Sequence, residues 1–321
     1  MTGARNIAFD LLVVGELNPD IIVFQPGLQP VFGQVEVVVD HILLEIGSSS
    51  AIVACGAARL GLRVAFVGVV GDDHFGRFIL DALAAHGVDT TGCRIVTDIP
   101  TGASVILSRG DDRAILTARG AMDRLTAVDV PSHLLATTRH LHVGSLFLQP
   151  GLAPGLPGLF RSARQAGVTT SLDTNWDPSG SWGGVSSALL SQTDLFLPNS
   201  VELEALTGDA DPATAARSLL GHLPSGGTVA VKRGGDGGTA IRGDESVSSP
   251  ALPVTMVDAT GAGDSFDAGM IAGLLDGAGL AGALRLAIAC GSLSVRAVGG
   301  TGAQPDRNEA NAAVASLALI G

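Results

Sequence analysis

The sequence predicts a three-layer α/β protein, in which helices cover both faces of a mostly parallel central sheet. Nearly continuous apolar runs, such as Ala8 to Val14 and Val64 to Val70, are typical of strands buried on both faces of such a sheet. Segments with apolar residues at helical spacing follow several of these runs. The 321 residues, 46% of them hydrophobic, suffice for one large domain or two small ones. Because we find no internal repeat or linker, we expect a single domain over residues 1–321.

The composition argues against several classes of partner and location. A net charge of -12 disfavours a nucleic-acid surface or an anionic membrane surface, although it allows a local phosphate site. The cysteines Cys55, Cys93 and Cys290 have no paired spacing, and no signal peptide is apparent, so we expect a cytoplasmic protein. Leu141 to Phe160 carries no Asp, Glu, Lys or Arg, but its prolines indicate a strand, a loop and a helix start and not a membrane helix.

Short strand-like pieces interrupt the α/β pattern in two places. Ile21 to Phe24 and Val35 to Val39 are predicted as strands around a Gly/Pro/Gln loop. Ala103 to Leu107 and Ala114 to Ala118 are predicted as a hairpin around a turn at residues 109–112. Together these pieces predict a small β lid, formed by segments near 17–46 and 98–120, over a substrate pocket.

The stretch from Val254 to Leu275 carries the clearest chemical signal. A short apolar run is followed by a glycine-rich turn with Gly261 and Gly263, then Asp264 and a helical pattern. Unpaired amides at a helix start, together with the helix dipole, form an anion-binding cradle. A carboxylate at its edge suggests phosphoryl transfer, with Asp264 taking a proton from the attacking hydroxyl. The alternative is an ordinary helix start with Asp in the first turn; the sequence is neither a Walker A loop nor G-x-G-x-x-G.

The stretch DATGAGDSFDAG resembles the C-terminal motif of the ribokinase-like carbohydrate kinases of the phosphofructokinase-B type. Gly71 to Gly76, read GDDHFG, resembles the N-terminal G-x-D-x-x-G motif of that family, and the similarity extends over nearly the whole chain. The resemblance implies a ribokinase-like fold and an ATP-dependent sugar kinase. It makes Asp264 the catalytic base, and it makes the turn before it the anion hole, formed by Gly261, Ala262 and Gly263.

The resemblance also implies a sugar site after the first strand. Spacing alone favours a polar turn for Asn18 and Asp20. The family pattern instead assigns sugar contacts to Asn18, Asp20 and the Gly47–Ser48 position, beside Asp264. Thr101 falls on the predicted lid, from which it could touch the substrate. The chain departs from that pattern at Ser48, where Gly is usual, and at Ile52, where an Asn is usual. Because Ile52 cannot hydrogen-bond a hydroxyl, we expect one sugar contact to be lost or replaced.

Nucleotide and metal residues follow from the resemblance as well. It assigns the nucleotide to Asn199, Lys232, Gly234, Gly237 and Gly263, and Mg²⁺, through water, to Glu202. It assigns K⁺ to oxygen atoms of two loops. One is the turn before the anion hole, with Asp258 and Thr260, and the other is the loop with Ala297, Gly300 and Gly302. Other interpretations stay open from the residues themselves. Asn199 and Glu202 also fit a helix capping box, and Lys232, the sole lysine, could be a surface charge.

Two rival functions remain open at this stage. A nucleoside kinase uses the same frame, and Ile52 would suit an apolar wall against a base. A catalytically idle regulator that binds a sugar or a nucleotide is the second rival. A serine hydrolase is discarded, because Ser265 lacks the Gly-x-Ser-x-Gly context. The family lid further implies a homodimer. His142 is predicted to be a core side chain and Arg113 an exposed polar residue of the lid.

Overall fold

The computed structural model describes residues 6–109 and 113–317. Within them the strands are β1 (Phe9–Val14), β2 (Pro19–Phe24), β3 (His41–Ile46), β4 (Val64–Val67), β5 (Val69–Gly71), β6 (Arg94–Val96), β7 (Ala103–Ser108), β8 (Arg113–Ala118), β9 (Thr138–Val143), β10 (Thr169–Leu172), β11 (Leu195–Phe196), β12 (Thr228–Lys232), β13 (Gly238–Arg242) and β14 (Glu245–Ser249). The helices are α1 (Ser49–Arg59), α2 (His74–Ala85), α3 (Ser132–Ala136), α4 (Leu156–Gln165), α5 (Ser187–Leu190), α6 (Ser200–Thr207), α7 (Pro212–Leu220), α8 (Ala262–Leu275), α9 (Gly279–Ser294) and α10 (Arg307–Val314).

The central sheet has eight strands in the order β14-β13-β12-β11-β10-β9-β1-β4. The strands from β12 to β4 in this order pair in parallel, and β13 and β14 add an antiparallel edge. Successive residues of β1 enter opposite cores: Leu11 and Val13 pack with α1, α8 and α9, whereas Leu12 and Val14 pack with α4, α6 and α7. This two-sided burial confirms the predicted three-layer α/β class.

A second sheet, in the order β3-β2-β7-β8, stands apart from the first. Its strands fall inside segments 17–46 and 98–120. The predicted strand at 35–39 is wrong, because β2 pairs with β3 in a register from Pro19↔Ile46 to Phe24↔His41. Val35, Val37 and Val38 are exposed, so their apolar run has no core to cover. The predicted turn at 109–112 lies largely outside the described residues.

No helix among the described residues is long and apolar enough to cross a membrane. The stretch Leu141 to Phe160 forms the end of β9, a loop and the start of α4, as predicted. The three cysteines are free thiols.

Candidate active site

The anion cradle lies at the first turn of α8. Gly261 precedes the helix with φ of 73°, a conformation that glycine adopts without strain. A Cβ atom there would lie 2.6 Å from Gly300 Cα, so the turn also needs glycine for space. The first-turn amides of Gly263 and Asp264 have no acceptor within the helix, and they leave a positive N-terminus.

Asp264 lies in that first turn, with 9% of its surface exposed. Burial raises the pKa of its carboxyl to about 7, and the nearby negative charge of Asp173 adds to the effect. The ammonium of Lys232 and a hydrogen bond from Ser49 act in the opposite direction. A carboxyl that titrates near neutral pH is well suited to general-base catalysis.

Three residues predicted to bind the sugar converge beside β2. The Asn18 amide donates hydrogen bonds to Asp20 Oδ1 and Ser104 Oγ, both at 3.2 Å. Gly47 packs directly on this pair, because a Cβ atom there would lie 2.1 Å from Asp20 Oδ1. Burial raises the pKa of Asp20 to about 7, although hydrogen bonds from Ser104 and Asn18 and the charge of Arg113 act in the opposite direction.

Ser49 connects the sugar residues to the base. It follows Gly47 and Ser48 in the chain, and its side chain lies close enough to the Asp264 carboxyl to lower the pKa of that group. The Asn175 amide donates to Ser49 Oγ at 2.9 Å. The start of α1 therefore lies between the Asp20 side of the site and the base.

A buried glutamate that the sequence analysis did not single out supports this helix start. Glu16 is 2% exposed and accepts hydrogen bonds from the Ser50 hydroxyl at 2.6 Å and the Ser50 amide at 3.1 Å. Ser48 donates to the Glu16 carbonyl at 2.6 Å while it caps α1 with φ of 66°. The signal for Glu16 was an acid directly after a buried strand.

Thr101 and Ile52 both make contacts that stabilise the fold around the site. The Thr101 hydroxyl accepts a hydrogen bond from the Gly71 amide and donates to Asp73 Oδ1, both at 2.8 Å, which favours a structural role. Ile52 is 3% exposed and packs against Gly261 and Gly300 of the two loops beside the anion cradle. Its side chain therefore supports the cradle.

A cavity of about 400 Å³ opens beside the cradle. Its lining is mainly apolar and glycine residues. It includes four of the predicted nucleotide residues, which are Lys232, Gly234, Gly237 and Gly263. Residues of α8 and α9, including Phe266 and Ile288, form its apolar wall. Such a wall is typical of a site that holds a flat ring system.

Asn199 and Glu202 form the capping box of α6. Asn199 Oδ1 accepts from the Glu202 amide at 2.9 Å, and the Asn199 amide group donates to Glu202 Oε1 at 2.6 Å. Burial raises the pKa of Glu202 to about 7, with a further contribution from Asp173. The carboxyls of Asp173, Asp264 and Asp267 come within 4.8 Å of one another, and Lys232 is the cation paired with two of them. This excess of buried acid fits a divalent cation nearby.

The two predicted potassium loops contact each other. Asp258 Oδ1 accepts from the Thr260 amide at 2.9 Å, and Asp258 Oδ2 accepts from the Gly299 amide at 2.9 Å. Arg113 of the second sheet reaches this loop, where its guanidinium donates to Thr260 Oγ1 at 3.0 Å and lies 3.6 Å from Asp258 Oδ1. Arg113 therefore connects the second sheet to the cradle, which the sequence analysis did not anticipate.

His142 is fully buried, as predicted for a core side chain. Its Nδ1 atom is hydrogen-bonded to Ser171 Oγ at 2.8 Å, and burial lowers its pKa to about 4. A neutral imidazole in the sheet is consistent with a structural role.

Comparison with known proteins gives matches over most of the chain. A family model described as pfkB family carbohydrate kinase matches residues 8–307. The chain is 32% identical over 271 residues to 2-dehydro-3-deoxygluconokinase of Bacillus subtilis, which covers 80% of this chain and 82% of that protein. It is 30% identical over 311 residues to ribokinase of Haemophilus influenzae, which covers 93% and 96%.

Solved structures agree with these matches. An E. coli protein provisionally assigned as ribokinase II, solved with ATP and Mg²⁺, superimposes with a TM-score of 0.84 at 25% identity over 96% of this chain and 99% of that one. A PfkB protein from Polaromonas sp. JS666 gives 0.80 at 27% identity over 95% and 100%. The fold is thus ribokinase-like, and the chain belongs to the pfkB family of carbohydrate kinases, phosphotransferases with an alcohol as acceptor.

Proposed function

We propose that this protein is an ATP-dependent sugar kinase that forms one domain with a β lid. The position of Asp264 carries the proposal: a buried carboxyl beside an amide cradle, with a nucleotide-sized cavity on one side and Asn18, Asp20 and Gly47 on the other. The solved relative with ATP and Mg²⁺ supports these ligands for this chain.

In the proposed reaction Asp264 accepts the proton of a sugar hydroxyl as its oxygen attacks the γ-phosphorus of ATP. The amides of Gly261 and Gly263, together with that of Ala262, which donates to the Ala259 carbonyl at 3.3 Å in the structure, would stabilise the charge on the transferred group. Glu202 would hold Mg²⁺ through water, and the ion would neutralise phosphate charge on ATP. The nucleotide would contact Asn199, Lys232, Gly234 and Gly237. The sugar pocket would be bordered by Ser48 and Thr101.

A potassium ion beside the cradle is a further part of the proposal, held by Asp258, Thr260, Ala297, Gly300 and Gly302. The contacts of Asp258 with both loops support it. The Arg113 guanidinium approaches the same carboxylate, so lid closure and cation binding would influence each other.

We also propose a cytoplasmic protein that forms a homodimer. The exposed face of the lid supports the homodimer. By register, Ile42, Leu44 and Leu116 lie on the face of the second sheet opposite to Asp20, and all three are exposed. An exposed apolar face of this kind is typical of a protein interface. Light scattering of the wild type and of Leu116→Asp tests it, and a monomeric wild type would contradict it.

The decisive experiment is ADP release with a panel of acceptors. The names of the relatives define the panel: ribose, fructose, 2-dehydro-3-deoxygluconate and aminoimidazole riboside. We expect saturable, Mg²⁺-dependent turnover with a sugar. Turnover with nucleosides alone would favour the nucleoside kinase, but the packing of Ile52 against glycines gives no support for a base-binding wall there. Ligand binding without ADP release would favour a regulator.

A further inference from the structure

The sole lysine of the chain is buried between acids and is not a surface charge. Lys232 ends β12 with 9% of its surface exposed. Its Nζ atom lies 3.0 Å from Asp173 Oδ2 and 3.1 Å from Asp267 Oδ2. Burial alone would lower the pKa of Lys232, but the facing carboxylates outweigh burial and raise it, so the ammonium keeps its charge.

The ammonium lies under the anion cradle. A Cβ atom on Gly263 would lie 3.4 Å from Lys232 Cδ and 3.8 Å from Lys232 Nζ. Lys232 also lines the wall of the nucleotide cavity, where it meets Gly263. The same small volume therefore receives the first-turn amides of α8 and the buried ammonium.

Asp267 fixes the ammonium at this place. It lies one turn after Asp264 on α8 and is completely buried, and one of its carboxyl oxygens has no hydrogen-bond partner among the described residues. A buried ion pair contributes little net stability, because desolvation offsets the attraction. Asp267 is better explained as the group that holds Lys232 against the helix carrying the base.

We propose that Lys232 is a catalytic residue that contacts the transferred phosphoryl group, and that Asp267 is its positioning residue. This assignment rests on the proposed kinase function and deepens it. As the bond from the sugar oxygen to the γ-phosphorus forms, the bond from that phosphorus to the β–γ bridging oxygen breaks, and its electron pair leaves with ADP. The hydroxyl proton passes to Asp264, and Lys232 stabilises negative charge on the equatorial oxygens without giving up a proton.

Kinetics of Lys232→Met test this role. We expect kcat to fall by about 10²–10³, the usual effect of removing one donor to a transition-state anion, with the KM for sugar little changed. Because Lys232 lowers the pKa of Asp264, the acid limb of kcat/KM should move to higher pH in the variant. The limb reports the charge of Lys232 beside Asp264, whereas a fall in kcat with the KM for sugar and for ATP little changed reports a contact made in the transition state. Arg233→Met, which removes the adjacent cation, is the matched control and should behave like wild type.

Removing Lys232 leaves two buried carboxylates without their cation, so the single variant can fail to fold. The double variant Lys232→Met, Asp267→Asn removes one cation and one of the two carboxylates, so the net charge of the buried cluster stays that of the wild type; it should fold and show the same loss of kcat. Asp267→Asn alone should lower kcat by about tenfold, since the ammonium then has one fixed carboxylate instead of two. Full turnover in the folded double variant overturns the assignment while the kinase function stands. A wild type that releases no ADP overturns the function itself and this role with it.

Discussion

Ile52 Cδ1 lies where a side chain on Gly300 would have to be: a Cβ atom on that glycine would come within 2.3 Å of it. A Cβ atom on Gly261 would likewise lie 3.1 Å from Ile52 Cγ2. Ile52, at the position where the resemblance implied an Asn, thus supports the two loops around the anion cradle through apolar contact.

Gly300→Ala should therefore damage the cradle, and Ile52→Ala should restore it. The added methyl group must displace either Ile52 or the loop, and overpacking of this kind typically costs about 1–3 kcal/mol. In the double variant the shortened side chain leaves room for the methyl group. Thermal unfolding and kcat of the two single variants and the double variant measure the coupling. Additive effects would show that the two residues do not compete for this space.

Gly47→Ala should impair sugar binding more than ATP binding. The new Cβ atom would overlap Asp20 Oδ1 at 2.1 Å and Asn18 Nδ2 at 2.8 Å, so both side chains must move. We expect the KM for sugar to rise at least tenfold, with the KM for ATP unchanged, because misplaced hydrogen-bonding groups cost about 1–3 kcal/mol.

Gly158→Ala is the matched control, since a Cβ atom there meets no atom within 4 Å and its φ is not positive. Equal effects of the two substitutions on the KM for sugar would contradict the assignment of Gly47, Asn18 and Asp20 to the sugar site.

The elements that the sequence predicted well are those fixed by local patterns. The buried strands follow from apolar runs, and the α8 start follows from the turn with Gly261 and Gly263. The surroundings of Lys232 could not be predicted, because its partners Asp173 and Asp267 are 59 and 35 residues away in the chain. The strand predicted at 35–39 failed for a related reason: an apolar run forms a strand only where tertiary pairing gives it a partner.

Asp264→Asn should lower kcat by about 10²–10⁴ and leave ATP binding intact, because the amide cannot accept the hydroxyl proton. In the wild type, kcat/KM should fall as the pH drops below about 7, where the buried Asp264 carboxyl becomes protonated. Steady-state rates from pH 5 to 9 and titration with an ATP analogue measure both effects. Near-normal turnover of the variant, or a wild-type profile that is flat down to pH 5, would refute the role of Asp264 as base.

Glu202→Gln should raise the Mg²⁺ concentration needed for half-maximal rate by about 10–100-fold, as for other residues that hold a metal indirectly. Glutamine also fits the third position of a capping box, so α6 should keep its start. Glu204→Gln, on the same helix but exposed, is the control. Chelation of Mg²⁺ should abolish turnover in all three proteins. An unchanged Mg²⁺ requirement in Glu202→Gln would show that residues other than Glu202 hold the metal.

The pH dependence of stability tests the environment of Asp264 without any substrate. The pKa of the Asp264 carboxyl is about 7 in the folded protein and 3.8 in the unfolded chain. The folded state therefore binds the carboxyl proton more tightly than the unfolded state does. The stability contributed by this group is full below pH 3.8 and is lost as the pH rises through 7. Asn imitates the neutral acid at every pH. Asp264→Asn should therefore be more stable than wild type at pH 8, and this advantage should shrink towards pH 4.

Calorimetry of both proteins at pH 5 and pH 8 measures the difference, in which other titrations cancel. One pKa unit corresponds to about 1.4 kcal/mol, so the advantage should grow by on the order of 2 kcal/mol between these two pH values. An advantage that is the same at both values would mean that Asp264 is solvated in the folded protein. The carboxyl would then lack the buried position beside the cradle on which the proposed chemistry depends.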